Sequence, residues 1–197
     1  MKLHEVLSEE QLCEIDYKRA IGTGILGLAA AGNFSYRLPT HGDPYQPKKV
    51  SPANDEAQVL CDRILKKYKI DPKLALQIAK LAKKHEKPVF PKAEDLLAIT
   101  GIESSFRPHA VSNLKKDPAL GLTQIRPGIH KLDPKRLSTD IEHQMERSAD
   151  ILHKYNKHLK NKEAAIIAYN VGPGDYQKGK FNQNYITKFK NERQMYN

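Results

Sequence analysis

The chain contains no tryptophan, only two cysteines and few aromatic residues, 7% of 197. Cys13 and Cys61 are too few for a disulfide scaffold, and no C-x-x-C pair or Cys/His cluster has the spacing of a structural zinc site. Apolar residues reach 39%, below the roughly 45–50% usual in globular domains, so part of the chain is expected to pack poorly. No apolar stretch approaches the ~20 residues of a membrane span, and no segment alternates with period two long enough to require a strand. These absences exclude a disulfide-stapled miniprotein, a zinc module and a multispan membrane protein, and the length excludes a large multidomain enzyme. One medium, mainly helical domain with ragged ends is the expectation.

Acidic charge is also short. Against 33 Lys and Arg stand 23 Asp and Glu, a net of +10. Residues 58–197 hold 27 basic and 15 acidic residues, net +12, whereas residues 1–57 are slightly acidic. A basic body suits anionic partners: nucleic acid, acidic lipid or a carboxylate-bearing cell wall. Nucleic acid is set aside because no recognition motif accompanies the charge, and pairs such as Lys66-Lys67, Lys83-Lys84 and Lys115-Lys116 read as solvated faces. The eight histidines include no H-E-x-x-H, and His143, His153 and His158 read as surface residues, not metal ligands.

Residues 3–17 are acid-rich with apolar Val6, Leu7, Leu12 and Ile15, compatible with a short helix. Lys18 and Arg19 then precede Ala20 to Ala31, a charge-free run ending Ala29-Ala30-Ala31-Gly32. Basic residues, an apolar core within the roughly 7–15 residues of an h-region and a small-residue ending are the parts of an export signal. A retained anchor, with membrane association through residues 20–34, and a buried helix are the other readings. Gly22-Thr23-Gly24-Ile25-Leu26-Gly27 fits G-x-G-x-x-G, but without a preceding strand the glycines are not a dinucleotide fingerprint. Pro39, Pro44, Pro47 and Pro52 then mark an extended linker. The expected division is residues 1–38 as acidic segment plus signal-like or anchor-like run, 39–54 as linker, and 55–197 as the folded domain.

In that domain, Ala57, Leu60, Cys61, Ile64, Leu65 and Tyr68 recur at helical spacing over 55–69. Asp71-Pro72 reads as an N-cap and first-turn proline for a second helix carrying Leu74, Ala75, Ile78, Leu81 and Ala82. A third is expected from about Lys92 to Phe106, ended by Arg107-Pro108. A fourth is expected to start at a capping box, Thr139 with Glu142, with Ile141, Met145, Ser148, Leu152, Tyr155 and Leu159 on its stripe. The fifth spans Lys162 to Asn170 and stops at Gly172-Pro173-Gly174.

On the third helix Leu96, Ile99, Glu103 and Phe106 share a face, which puts a carboxylate among apolar side chains. Such a group is paired or holds its proton, because desolvation disfavours the charged form. Taken alone, Glu103 is better read as a structural residue bonded to nearby backbone or to Arg107.

Three segments change that balance: Glu103-Ser104-Ser105-Phe106 running to Ser112, Gly121-Leu122-Thr123-Gln124, and Ala168-Tyr169-Asn170-Val171-Gly172-Pro173-Gly174. In order, they resemble the motifs of the soluble lytic transglycosylase (SLT) domain family, a goose-lysozyme-like helical fold acting on peptidoglycan. The resemblance covers roughly residues 58 to 190. It implies that Glu103 is the catalytic acid/base and that Ser112 contacts the substrate's N-acetyl carbonyl. It implies that Gln124 lines the saccharide groove, that the Tyr169 hydroxyl approaches the catalytic carboxylate with Asn170 beside it on the sugar side, and that Tyr185 stands at the cleft edge. Thr123 stands where the family commonly has Met, and the stretch Asn113 to Leu120 is longer than its common loop.

By the same resemblance the bond cleaved is that between MurNAc and GlcNAc, with a 1,6-anhydro product, no metal and no cofactor. The partner is a peptidoglycan glycan strand, the protein acts as a monomer, and it works outside the cytoplasm, in the periplasm or on a membrane, or is delivered by a bacteriophage. A hydrolase on the same fold and a non-catalytic wall-binding or virion protein are the competing readings.

Overall fold

The computed structural model describes the backbone of residues 52–197 and the side chains from residue 55 onward. The acidic segment, the apolar run with its glycines and the linker up to residue 51 lie outside the described residues.

Within the described residues the chain is mainly helical and forms no strand. Helix α1 (Pro52–Lys67) begins three residues before the expected Asp55. Helix α2 (Pro72–His85) starts as Asp71-Pro72 predicts, the Asp71 carboxylate accepting from the Leu74 amide. Helix α3 (Ala93–Ser104) is followed by two short helices, α4 (Pro127–His130) and α5 (Pro134–Thr139). The long α6 (Ile141–Leu159), then α7 (Lys162–Val171), the single turn α8 (Pro173–Gln177) and α9 (Gln183–Gln194) complete the order. Isolated bridges join Val111 to Leu120 and Leu120 to Ile125.

Helix α3 is the centre of the packing. It contacts α2, α6 and α9, and Leu96, Leu97, Ala98 and Ile99 are all fully buried. Each fully buried Leu or Ile contributes roughly 1.5–3 kcal/mol relative to exposure, so this helix is anchored on every side. Asp95, one turn in, is held by Arg193 of α9 and accepts from the Lys92 amide at 2.9 Å. A second, smaller core gathers Leu120, Ile125, Leu137 and Ile151 beneath the loop after α3.

Two helix ends differ from expectation. Helix α3 stops at Ser104, because Ser105 and Phe106 both take left-handed backbone angles, φ 53° and 62°. Phe106 therefore enters the core from a turn beyond the helix, where its ring meets Tyr68 at 4.7 Å, and does not extend the stripe of Leu96 and Ile99. Helix α6 is capped by Asp140, which accepts from the His143 amide at 2.9 Å, and not by Thr139. Thr139 is still inside α5, its hydroxyl bonded back to the Lys135 carbonyl, and Glu142 turns outward to Lys84 and His85. His143, expected at the surface, is 7% exposed, and burial together with Arg136 and Arg147 lowers its pKa.

Candidate active site

Three carboxylates are drawn into the helical body around α3, and their partners distinguish them. Asp95 has Arg193. Glu192, 3% exposed, has the Lys67 ammonium and two phenols, Tyr68 at 2.7 Å and Tyr196 at 3.1 Å. Both are charge-paired, as buried carboxylates ordinarily must be. Glu103 differs: its Oε1 accepts one hydrogen bond, from the Tyr185 hydroxyl at 2.7 Å, and among the described residues no Lys, Arg or His lies within 4.0 Å of it. Burial is the main influence on its carboxyl and raises its pKa, with the Tyr185 bond pulling weakly the other way. A carboxyl without a cation, held by a neutral donor, is equipped to keep a proton and give it up.

The α9 N-terminus delivers Tyr185. Asn182 caps that helix, its Oδ1 accepting from the Tyr185 amide at 3.1 Å, while its Nδ2 donates to Asn170 Oδ1 at 3.0 Å. Asn170 is thus linked to Glu103 through Asn182 and then Tyr185. The buried Tyr185 hydroxyl has its pKa pushed well up, by desolvation first and then by the Glu103 charge, and remains a neutral donor.

Both motif tyrosines lie near Glu103, whose charge, after burial, helps raise the pKa of each, but the hydrogen bond to its carboxylate comes from Tyr185. The Tyr169 hydroxyl, expected on the catalytic carboxylate, donates to the Thr123 carbonyl at 2.9 Å. With its one proton so used, the 3.3 Å contact to Ser148 Oγ has Ser148 as donor. Tyr185, expected at the cleft edge, is the residue on Glu103 and is 7% exposed.

The loops after α3 present the other residues. The Ser112 hydroxyl accepts from the Ala119 amide at 2.8 Å, closing the loop Asn113 to Pro118 across its base. Asp117 secures the far side, bonding the Gly128 amide at 2.9 Å and pairing with Arg126. Gln124, at φ 51°, turns its side-chain amide inward to the carbonyls of Ala110 and Gly121, at 3.1 and 3.0 Å. Thr123 is fully buried, and among the described residues its hydroxyl has no hydrogen-bond partner.

One residue absent from the sequence reading is prominent here. Gln144 of α6 is fully buried and bonds three separate backbone segments. Its polarity suggested solvent; its place beside Met145 and four residues before Ser148 was the available signal.

Two further features bear on site choice. A pocket of about 310 Å³ is lined by Lys67, Tyr68, Gly101, Ile102, Lys188, Asn191 and Glu192, but its carboxylate is the fully paired Glu192. Among the described residues no three His, Cys, Asp or Glu are gathered as metal ligands, and no helix is long and apolar enough to cross a membrane.

A family model described as the transglycosylase SLT domain matches residues 80–192, which contain Glu103, Ser112, Gln124, Tyr169, Asn170 and Tyr185. No curated protein and no solved structure matches the chain. The matched region is more than half of the 197 residues and is helical with the site at the end of its most buried helix. The chain belongs to the transglycosylase SLT domain family, whose activity is of the lytic transglycosylase type on peptidoglycan.

Proposed function

We propose that the protein cleaves the β-1,4 bond between MurNAc and GlcNAc in peptidoglycan without water, with Glu103 as the only proton carrier. The observation that carries this reading is the state of Glu103: half-buried, bonded by a phenol and, among the described residues, with no cation beside it.

Most glycosidases use two carboxylates, and those assisted by their substrate dispense with one. The Glu103 carboxyl protonates the glycosidic oxygen, and the bond from muramic C1 to that oxygen breaks, freeing the GlcNAc hydroxyl. The acetamido carbonyl of the same muramic residue stabilises the developing positive centre. The Glu103 carboxylate then takes the proton of the muramic 6-hydroxyl as that oxygen closes on C1. A 1,6-anhydro end forms and Glu103 regains its proton.

Ser112 supports the acetamido part of this reading. Its hydroxyl oxygen already accepts from Ala119, and its own proton has no acceptor among the described residues, so it is available to a carbonyl. Gln124 and Tyr169 act in this account by fixing the groove walls, and Tyr185, with Asn170 behind it through Asn182, by fixing Glu103.

Peptidoglycan lies outside the cytoplasmic membrane, and Ala20 to Ala31 is proposed as the segment that carries the domain there. The test of the catalytic assignment is Glu103→Gln. It should retain helical content while wall clearing falls by about 10²–10⁴-fold, the usual worth of a general acid/base. Clearing at the unmodified rate would remove Glu103 from the mechanism, and loss of fold would return it to a structural role.

A further inference from the structure

The wall of the proposed groove is made of two chain segments, Arg107 to Ser112 and Ala119 to Gln124. They bond each other: Gly121 N donates to Ala110 O at 2.9 Å, Ser112 N to Ala119 O at 2.9 Å, and Gln124 Nε2 to Ala110 O at 3.1 Å. Such a loop pair is internally tied, yet nothing in those bonds sets its position relative to Glu103. Arg107 ties the first segment to the end of α3, its amide and Nε bonded to Ser104, whereas the second segment is held from α6 beneath.

The side chain of Gln144 supplies that hold. Its Oε1 accepts from the Leu122 amide at 2.8 Å, while its Nε2 donates to the Pro108 carbonyl at 3.0 Å and the Leu137 carbonyl at 2.7 Å. One carboxamide thus satisfies a donor of the second segment, an acceptor of the first and an otherwise orphaned carbonyl near the end of α5. Gly121 lies flat against it: at φ 77°, a Cβ there would stand 2.4 Å from Gln144 Cδ. One turn on, Ser148 reaches the same loop indirectly, through Tyr169 to the Thr123 carbonyl. Successive loop residues, Leu122 and Thr123, are therefore held from the i and i+4 positions of one α6 face.

We propose that Gln144 is a positioning residue for the substrate groove, setting the height of the Gly121–Gln124 wall against Glu103 without touching sugar. The inference rests on the function proposed above. Gln144 and Ser148 belong to a wall-holding set separate from the Asn170–Asn182–Tyr185 set that holds Glu103, and the two sets share no hydrogen bond. Loss of Gln144 should accordingly loosen saccharide binding while leaving proton transfer as it was.

The experiment compares the full-length protein with Gln144→Met, which keeps side-chain length and removes all three bonds, and with Gln144→Asn, which keeps the amide but shortens its reach. Purified glycan strands are the substrate. For Gln144→Met, KM should rise on the order of tenfold, the equivalent of one net hydrogen bond, with Gln144→Asn between it and the parent. In both, kcat should change less than KM and the alkaline limb of the pH profile should not move. A fall in melting temperature with KM unchanged would make Gln144 merely structural, and a moved pH limb would place it in the Glu103 set. Hydrogen exchange on the unmodified protein tests the contact even where the variants do not fold. The Leu122 amide, a loop amide with no backbone partner, should exchange as slowly as the core of α3, and rapid exchange there would overturn the proposal. If the unmodified protein cleaves no glycan, the function itself has failed, a result distinct from a variant that cleaves with unaltered KM.

Discussion

The Tyr185 hydroxyl donates to Glu103 Oε1 at 2.7 Å across 82 positions of sequence, and this bond opposes the burial that raises the Glu103 pKa. The pair sets the protonation of the proposed acid from two directions, and each direction can be removed separately.

Tyr185→Phe removes the opposing influence. The Glu103 pKa should rise further, so the alkaline limb of glycan cleavage should move to higher pH, while stability falls by about 0.5–1.5 kcal/mol for the lost bond. The check is a pH–rate profile of kcat/KM beside the parent. A limb that moves toward acid would mean the phenol does not stabilise the carboxylate.

Glu103→Gln removes the ionisable group itself. A carboxyl whose pKa is higher folded than unfolded contributes stability fully below the unfolded value and loses it as pH rises through the folded one. The direction for Glu103 is upward. The glutamine variant should therefore melt above the parent at neutral and alkaline pH, with the gap closing in acid. Thermal melts across pH measure this, and a variant less stable at neutral pH would count against a strained, proton-holding Glu103.

Much of this arrangement is legible in the sequence because it depends on local rules. Asp71-Pro72 opens a helix by capping, and the spacing of Leu96, Ile99 and Glu103 puts a carboxyl in the packed body. Long-range choices are not. Tyr169 and Tyr185 are both motif tyrosines, and which one reaches Glu103 depends on how α9 docks on α3. The Ser105–Phe106 turn carries no glycine to announce its left-handed angles. Gln144 looks like a solvent-facing residue until the loops it bonds are folded over it.

Glu192 provides a contrast that separates stability from chemistry. Glu192→Leu leaves the Tyr68 and Tyr196 hydroxyls without their acceptor and Lys67 without its partner, at a cost of about 2–4 kcal/mol. Glu192→Gln keeps a carbonyl oxygen for the phenols and should lose less. Denaturant melts read both, and kcat for either variant that remains folded should match the parent.

Export is a separate expectation. Residues 55–197 alone should form a soluble, active domain, and the full chain made in bacteria should appear partly in membrane or periplasm. Fractionation with N-terminal sequencing measures this. Full-length protein wholly in the cytosol would contradict export through Ala20 to Ala31 and leave the enzyme assignment untouched.

The central claim is that the 6-hydroxyl of muramic acid, not water, receives the broken bond. Digestion of purified wall in heavy-oxygen water, with mass spectrometry of the released muropeptides, tests it most directly. The account predicts new ends that are lighter than reducing ends by one water and carry no heavy oxygen. Reducing ends bearing one heavy oxygen each would contradict it and make the protein a hydrolase on the same fold.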